Sequence, residues 1–158
     1  MYIKKVYKKG FTVIEILITL AILGILLAIV LPSLSNMRTS QAAQTHVEHI
    51  DTFFSEARTR TVSSQNLSRH GVNLSSSRIV LFEGETYSTG DPFITEFRFE
   101  PGFSIHEVSV GGGWNVVFDR LTGGTANAGW FTFGTSDGDI MYTISIEPTG
   151  VLDISRNE

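Results

Sequence analysis

From Phe11 to Leu31 the chain reads FTVIEILITLAILGILLAIVL, 21 residues with a single charge among them. Nothing else in the sequence constrains the fold as much. As a helix rising 1.5 Å per residue, such a run covers about 30 Å, the hydrocarbon thickness of a bilayer. Ahead of it stands MYIKKVYKKG, short, basic and free of acids. By the positive-inside rule those lysines keep the N-terminus cytoplasmic, so everything after Pro32 is expected across the membrane. The run is too long for the apolar region of a secretory signal, and no A-x-A cleavage site follows it. The segment is therefore expected to be retained.

A plain anchor leaves two details without a reason. Glu15 lies five residues into the apolar run, where an ionised carboxylate costs about 2.5–3.5 kcal/mol at mid-helix and less near the interface. The run itself holds no basic partner for it. Gly10-Phe11 stands at the junction of the basic and apolar segments.

The run Lys8-Lys9-Gly10-Phe11-Thr12-Val13-Ile14-Glu15 resembles the class III leader of type IV pilins and type II secretion pseudopilins. The resemblance implies cleavage between Gly10 and Phe11 by a prepilin peptidase, followed by N-methylation of Phe11. It also implies that Glu15 pairs with the amine of a neighbouring subunit during assembly. The chemistry suits that role. An amine created on Phe11 stands about one helical turn from its own Glu15 along a rigid axis. A neighbour shifted along the axis can offer its amine to Glu15, neutralising two charges inside the membrane. Gly24 and Pro32 match family positions as well. Proline there removes a backbone donor and loosens the helix where it leaves the apolar run.

After Ser33 the pattern turns amphipathic. Ala43, Val47, Ile50, Phe54 and Ala57 recur at spacings of 4, 3, 4 and 3, one stripe of a helix. Gln41, Gln44, Glu48, Asp51 and Ser55 fall off that stripe. The helix is expected to run from Thr12 to Val62 or Gln65, roughly 80 Å if unbroken. Beyond it, alternation and turn chemistry predict eight strands: 72–74, 78–82, 94–100, 103–110, 114–119, 130–133, 140–147 and 151–155. The expected fold class is α+β. A long N-terminal helix, transmembrane in its first half, packs on a β-rich antiparallel head of two small sheets. The divisions are a leader over 1–10 that is removed, a transmembrane and fibre-core helix over 11–32, an amphipathic continuation over 33–66, and a periplasmic head over 67–158.

The head, with Ala57-Arg58 before a strand and then FDRLTGG, GWFTF, YTISIEPTG and VLDIS, resembles the GspH/FimT group of minor pseudopilins. In that group a β-rich head ends in a hairpin with a glycine turn, here Pro148-Thr149-Gly150. Some relatives bind DNA through basic residues near the C-terminus. Here the tail offers Arg156 beside Glu158, and without its first ten residues the chain moves from a formal charge of −4 to −8. Both facts argue against nucleic acid as a partner.

Little else carries chemistry. Cysteine is absent, which removes thiol nucleophiles and CxxC zinc sites. His46 and His49 stand three apart on a helix, a zinc-compatible spacing without a third ligand, and are read as part of a solvated face. His70 and His106 are isolated, and no G-x-S-x-G elbow is present. Asp137-Gly138-Asp139 reads first as a hairpin turn and falls short of a calcium cage. The aromatics, Trp114 and Trp130 included, are assigned mostly to the core; Phe93 or Trp114, if exposed at a loop, could serve a partner interface. No enzyme activity, metal or cofactor is expected.

The resemblance implies a minor pseudopilin of a type II secretion pseudopilus, processed by prepilin peptidase and held in the inner membrane. Its partners would be other pilin-like subunits. Two alternatives stand beside it: a minor pilin of a type IV pilus, serving assembly priming, twitching, adhesion or DNA uptake, and a membrane-anchored periplasmic binding domain that never assembles.

Overall fold

The computed structural model describes residues 10–88, 90 and 95–157, the side chains of residues 30–36 excepted. The expected leader residues 1–9 and Phe93 lie outside that description, as does the side chain of Pro32. The chain divides into two compact units, Met1–Thr39 and Ser40–Glu158, and helix α1 (Val13–Val62) contributes to both.

In the first unit α1 starts on Thr12. The Thr12 carbonyl accepts the Ile16 N–H at 3.2 Å, and Thr12 Oγ1 accepts the Glu15 N–H at 3.3 Å. Thr-x-x-Glu at a helix start is a capping signature, and an acid in the first turn also faces the positive end of the helix dipole. From Ile16 to Ile29 the helix sequence is apolar except at Thr19. No helix among the described residues is long and apolar enough to cross a membrane. The described side chains of the apolar run end at Ile29.

In the second unit α1 lays one face on a β-structure. Its buried side chains are Ala43, His46, Val47, Ile50, Phe53, Phe54, Ala57 and Thr61. This stripe is wider than the expected one, because positions 46 and 53 flank it at helical spacing. An apolar contact face commonly covers 100° or more of a helix. After Val62 the chain tightens: the Ser64 N–H bonds to the Thr61 carbonyl at 3.0 Å, and Ser64 takes left-handed backbone (φ 53°), which ends the helix. A short 3₁₀ turn follows over Gln65–Leu67.

Among the described residues, eight strands make two antiparallel four-stranded sheets. They are β1 (His70–Ser75), β2 (Arg78–Glu83), β3 (Thr95–Arg98), β4 (Phe103–Val110), β5 (Asn115–Val117), β6 (Gly129–Thr135), β7 (Met141–Ile146) and β8 (Leu152–Asn157). The first sheet has the order β3-β2-β1-β5 and the second β4-β6-β7-β8. Each strand falls on a segment whose alternation predicted it. β1 begins earlier than expected because His70 and Gly71 pair with Glu83 and Phe82. Trp114 precedes β5 in a turn, so the strand there is shorter than the sequence suggests.

One core joins these layers. Val72, Leu74, Ile79 and Leu81 of the first sheet meet Ile105, Phe131, Phe133, Ile144 and Ile146 of the second around Val47, Ile50, Phe54 and Ala57 of α1. Phe54 stacks on Phe131 at 6.0 Å and meets the edge of Phe118 at 6.3 Å. Each such side chain, withdrawn from water, stabilises the head by about 1.5–3 kcal/mol. A smaller apolar patch lies on the opposite face of the first sheet. There Phe82 contacts Tyr87 at 5.6 Å and lies over Gly71, where a Cβ would overlap the ring.

Candidate functional site

Gly10 and Phe11 precede the cap, both exposed. Phe11 is the most exposed large apolar residue described, at 81%. Glu15 follows in the first helical turn, and its side chain too is exposed. Every large apolar side chain from Phe11 to Ile29 is between 48% and 81% exposed. Such a surface is not stable against water; contiguous apolar area of this extent marks a lipid or protein contact. Gly24 has no heavy atom within 4 Å of where a Cβ would stand, so nothing within the chain requires glycine there. Gly10, Phe11 and Glu15 thus lie together at the start of α1. Gly24 is three turns further on, and Pro32 lies within the helix. Thr12 was overlooked as a functional residue by sequence reasoning, although the Thr-x-x-Glu spacing announces it.

The histidines are distributed differently from the expectation. His46 is not on a solvated face. It is 3% exposed, ringed by Phe97, Phe99, Phe103 and Phe133 at centroid distances of 4.8–5.9 Å. Among the described residues neither of its ring nitrogens has a hydrogen-bond partner, and burial pushes its pKa below 6.5. His49 is exposed and stacks on Phe97 at 4.3 Å. His70 is fully buried with both ring nitrogens likewise unpartnered, and burial lowers its pKa as well. His106 lies at an irregularity in β4, where the register with β6 shifts between Ile105 and Val108, and its Nε2 meets Ser104 Oγ at 3.3 Å. Among the described residues no group of three or more His, Cys, Asp or Glu is placed to hold a metal.

Asp137-Gly138-Asp139 makes the β6–β7 turn. Asp137 Oδ1 accepts the Asp139 N–H at 3.2 Å, and Gly138 takes φ +83°. Trp114 and Trp130 are 46% and 38% exposed, unlike most of the phenylalanines.

The end of α1 is tied to the head at two points. Thr61 Oγ1 accepts the buried His70 N–H at 2.9 Å and donates to the Ala57 carbonyl at 2.8 Å. Arg58 Nε donates to the Gly123 carbonyl at 3.1 Å. The Gly123 loop in turn meets the Pro148-Thr149-Gly150 turn, where the Thr125 N–H bonds to the Pro148 carbonyl at 3.0 Å. FDRLTGG and EPTG, distant in sequence, therefore form one interlocked corner beneath the helix.

Comparison with known proteins agrees at both ends of the chain. Residues 5–31 match the family model described as the prokaryotic N-terminal methylation motif. No curated protein matches the sequence. Among solved structures, the minor pseudopilin EpsH from the type 2 secretion system of Vibrio cholerae is similar in fold. Its TM-score is 0.52 at 12% identity, over 72% of this chain and 96% of that one. The chain thus carries an N-terminal methylation motif ahead of a head whose fold is similar to that of a minor pseudopilin.

Proposed function

We propose that the chain is a minor pseudopilin of a type II secretion pseudopilus, supporting protein export across the outer membrane. Prepilin peptidase cuts between Gly10 and Phe11, and the new amine on Phe11 is methylated. Residues 11–32 anchor the subunit in the inner membrane, with the N-terminus cytoplasmic and the head periplasmic. The same residues later become fibre core. Glu15 takes the Phe11 amine of a neighbouring pilin-like subunit, while Gly24 and Pro32 let the helix adjust as subunits stack.

The observation that carries this reading is the α1 surface itself. An apolar helical run, exposed from Val13 to Ile29 and bearing one carboxylate in its first turn, needs both an apolar environment and a cation. A staggered copy of the same kind of helix supplies both. Similarity to EpsH favours the secretion machine over a type IV pilus, and the acidic body gives nucleic acid no purchase.

Two measurements test it. Intact mass and N-terminal sequencing of protein from native membranes are expected to show N-methylated Phe11 as the first residue. In sheared filaments, Glu15→Ala is expected to fall at least tenfold below wild type at equal membrane abundance. A chain that keeps Met1 while prepilin peptidase is active, or equal recovery of Glu15→Ala, would sink the assembly role.

A further inference from the structure

The first sheet has a second face, opposite the helix-bearing core, that assembly through α1 does not use. Asn73 and Ser75 alternate with the core residues Val72 and Leu74, so their side chains stand on that face. With Ser76, Arg78, Tyr87 and Trp114 they line a solvent-open pocket of about 360 Å³, within the size range of small-ligand sites.

Its construction is specific. The Asn73 amide is held by three bonds: Nδ2 donates to Asn115 Oδ1 at 2.8 Å and to the Trp114 carbonyl at 3.3 Å, and Oδ1 accepts from Ser75 Oγ at 3.2 Å. The Trp114 carbonyl also accepts the Leu74 N–H at 2.7 Å. Trp114 thus sits in a turn with its backbone pinned from two sides while its indole remains 46% exposed. Tyr87 is braced against Phe82. Arg78 donates to Glu96 at 2.7 Å, so the guanidinium charge is already matched.

These features discriminate among ligands. An anionic ligand would have to compete with Glu96 for Arg78. A wholly apolar one would strip water from the Ser76 hydroxyl and the remaining Arg78 N–H groups without replacing their hydrogen bonds, at a cost that outweighs the contact. What suits both the aromatic rings and the neutral polar groups is a molecule with one apolar face and a rim of hydroxyls. We propose that this pocket binds a short neutral saccharide, with the Trp114 and Tyr87 rings against the C–H face of a pyranose and Ser75, Ser76 and Arg78 meeting its hydroxyls. A rigid aromatic platform stacks with little loss of side-chain freedom, which suits a weak, reversible contact.

The test is calorimetric titration of the full chain with cellobiose and with N,N′-diacetylchitobiose. Phosphocholine-headed micelles are used so that no detergent sugar competes. At least one probe is expected to bind saturably in the millimolar range. Trp114→Ala weakens that binding at least tenfold, and Trp130→Ala on the other sheet leaves it unchanged. Circular dichroism melts verify that each variant is folded; should Trp114→Ala fail there, Tyr87→Ala is judged by the same tenfold criterion. No saturable binding by folded wild type up to roughly 20 mM of either probe, or binding that survives loss of the aromatic wall, overturns the proposal.

Discussion

A buried imidazole with no hydrogen-bond partner is tolerated only while neutral, and among the described residues the head contains two. His46 loses hydration to four phenylalanine rings; the Glu100 carboxylate pulls its pKa up more weakly, and His49 pushes it further down. His70 is desolvated likewise, with Glu83 raising and Arg60 lowering its pKa. In both, burial dominates, so the folded pKa lies below the value of 6.5 that the unfolded chain restores. The unfolded state then binds protons that the folded state refuses. Stability is expected to be level above about pH 7 and to fall as pH drops through about 6.5, by up to about 1.4 kcal/mol per pH unit for each histidine. Urea midpoints between pH 7.5 and 5 report this. His46→Phe, which keeps an aromatic ring in the cage, is expected to remove about one histidine's share of the slope. An unchanged slope would place the acid sensitivity elsewhere.

The elements are joined by contacts that single substitutions can isolate. Thr61→Val keeps the shape of the side chain but removes the acceptor of the buried His70 N–H, the bond tying α1 to β1. Leaving that donor unpaired costs about 1–3 kcal/mol, read as a lower urea midpoint with an unchanged m-value. Gly150 and Gly138 make a second comparison. Both hold left-handed backbone, at φ +78° and +83°, but a Cβ on Gly150 overlaps the Gly123 carbonyl, whereas one on Gly138 meets open space. Gly138→Ala is expected to cost about 1 kcal/mol for the backbone alone. Gly150→Ala costs more, because it also displaces the carbonyl that accepts Arg58. Equal midpoints for the two variants would mean that the corner relaxes without effect. The turns themselves were readable in the sequence, as were all eight strand positions, because glycine pairs and period-two alternation are local signals. Pairing is not local. That β5 returns to the first sheet while β4 joins the second follows from contacts such as Val72↔Val116 and Val108↔Phe131, which no short window contains. His46 escaped for a related reason. Its place at the edge of the stripe is compatible with water or core, and only the Phe97–Phe103 segment decides between them. At the other end of the chain, Gly10, Phe11 and Glu15 lie near one another because they are near in sequence, so their grouping needs no tertiary contact.

At the scale of the whole molecule, the second unit buries its apolar side chains while the first leaves those from Phe11 to Ile29 exposed. The core residues of the head, from Val47 to Ile146, all lie within Ser40–Glu158, and none belongs to the apolar run. A fragment of residues 40–158 therefore retains its complete core, both sheets and the two ties from α1 through Thr61 and Arg58. It is expected to fold alone, to unfold in one cooperative transition, and to remain in the aqueous fraction when mixed with phospholipid vesicles. The full chain carries in addition the exposed apolar side chains from Phe11 to Ile29, and burying even half of that surface in lipid outweighs the cost of ordering the helix. It is expected to float with the vesicles. Flotation of both proteins would show that the head has its own membrane-binding surface. A full chain that stays in the aqueous fraction would deny the apolar helix the anchoring role proposed for it.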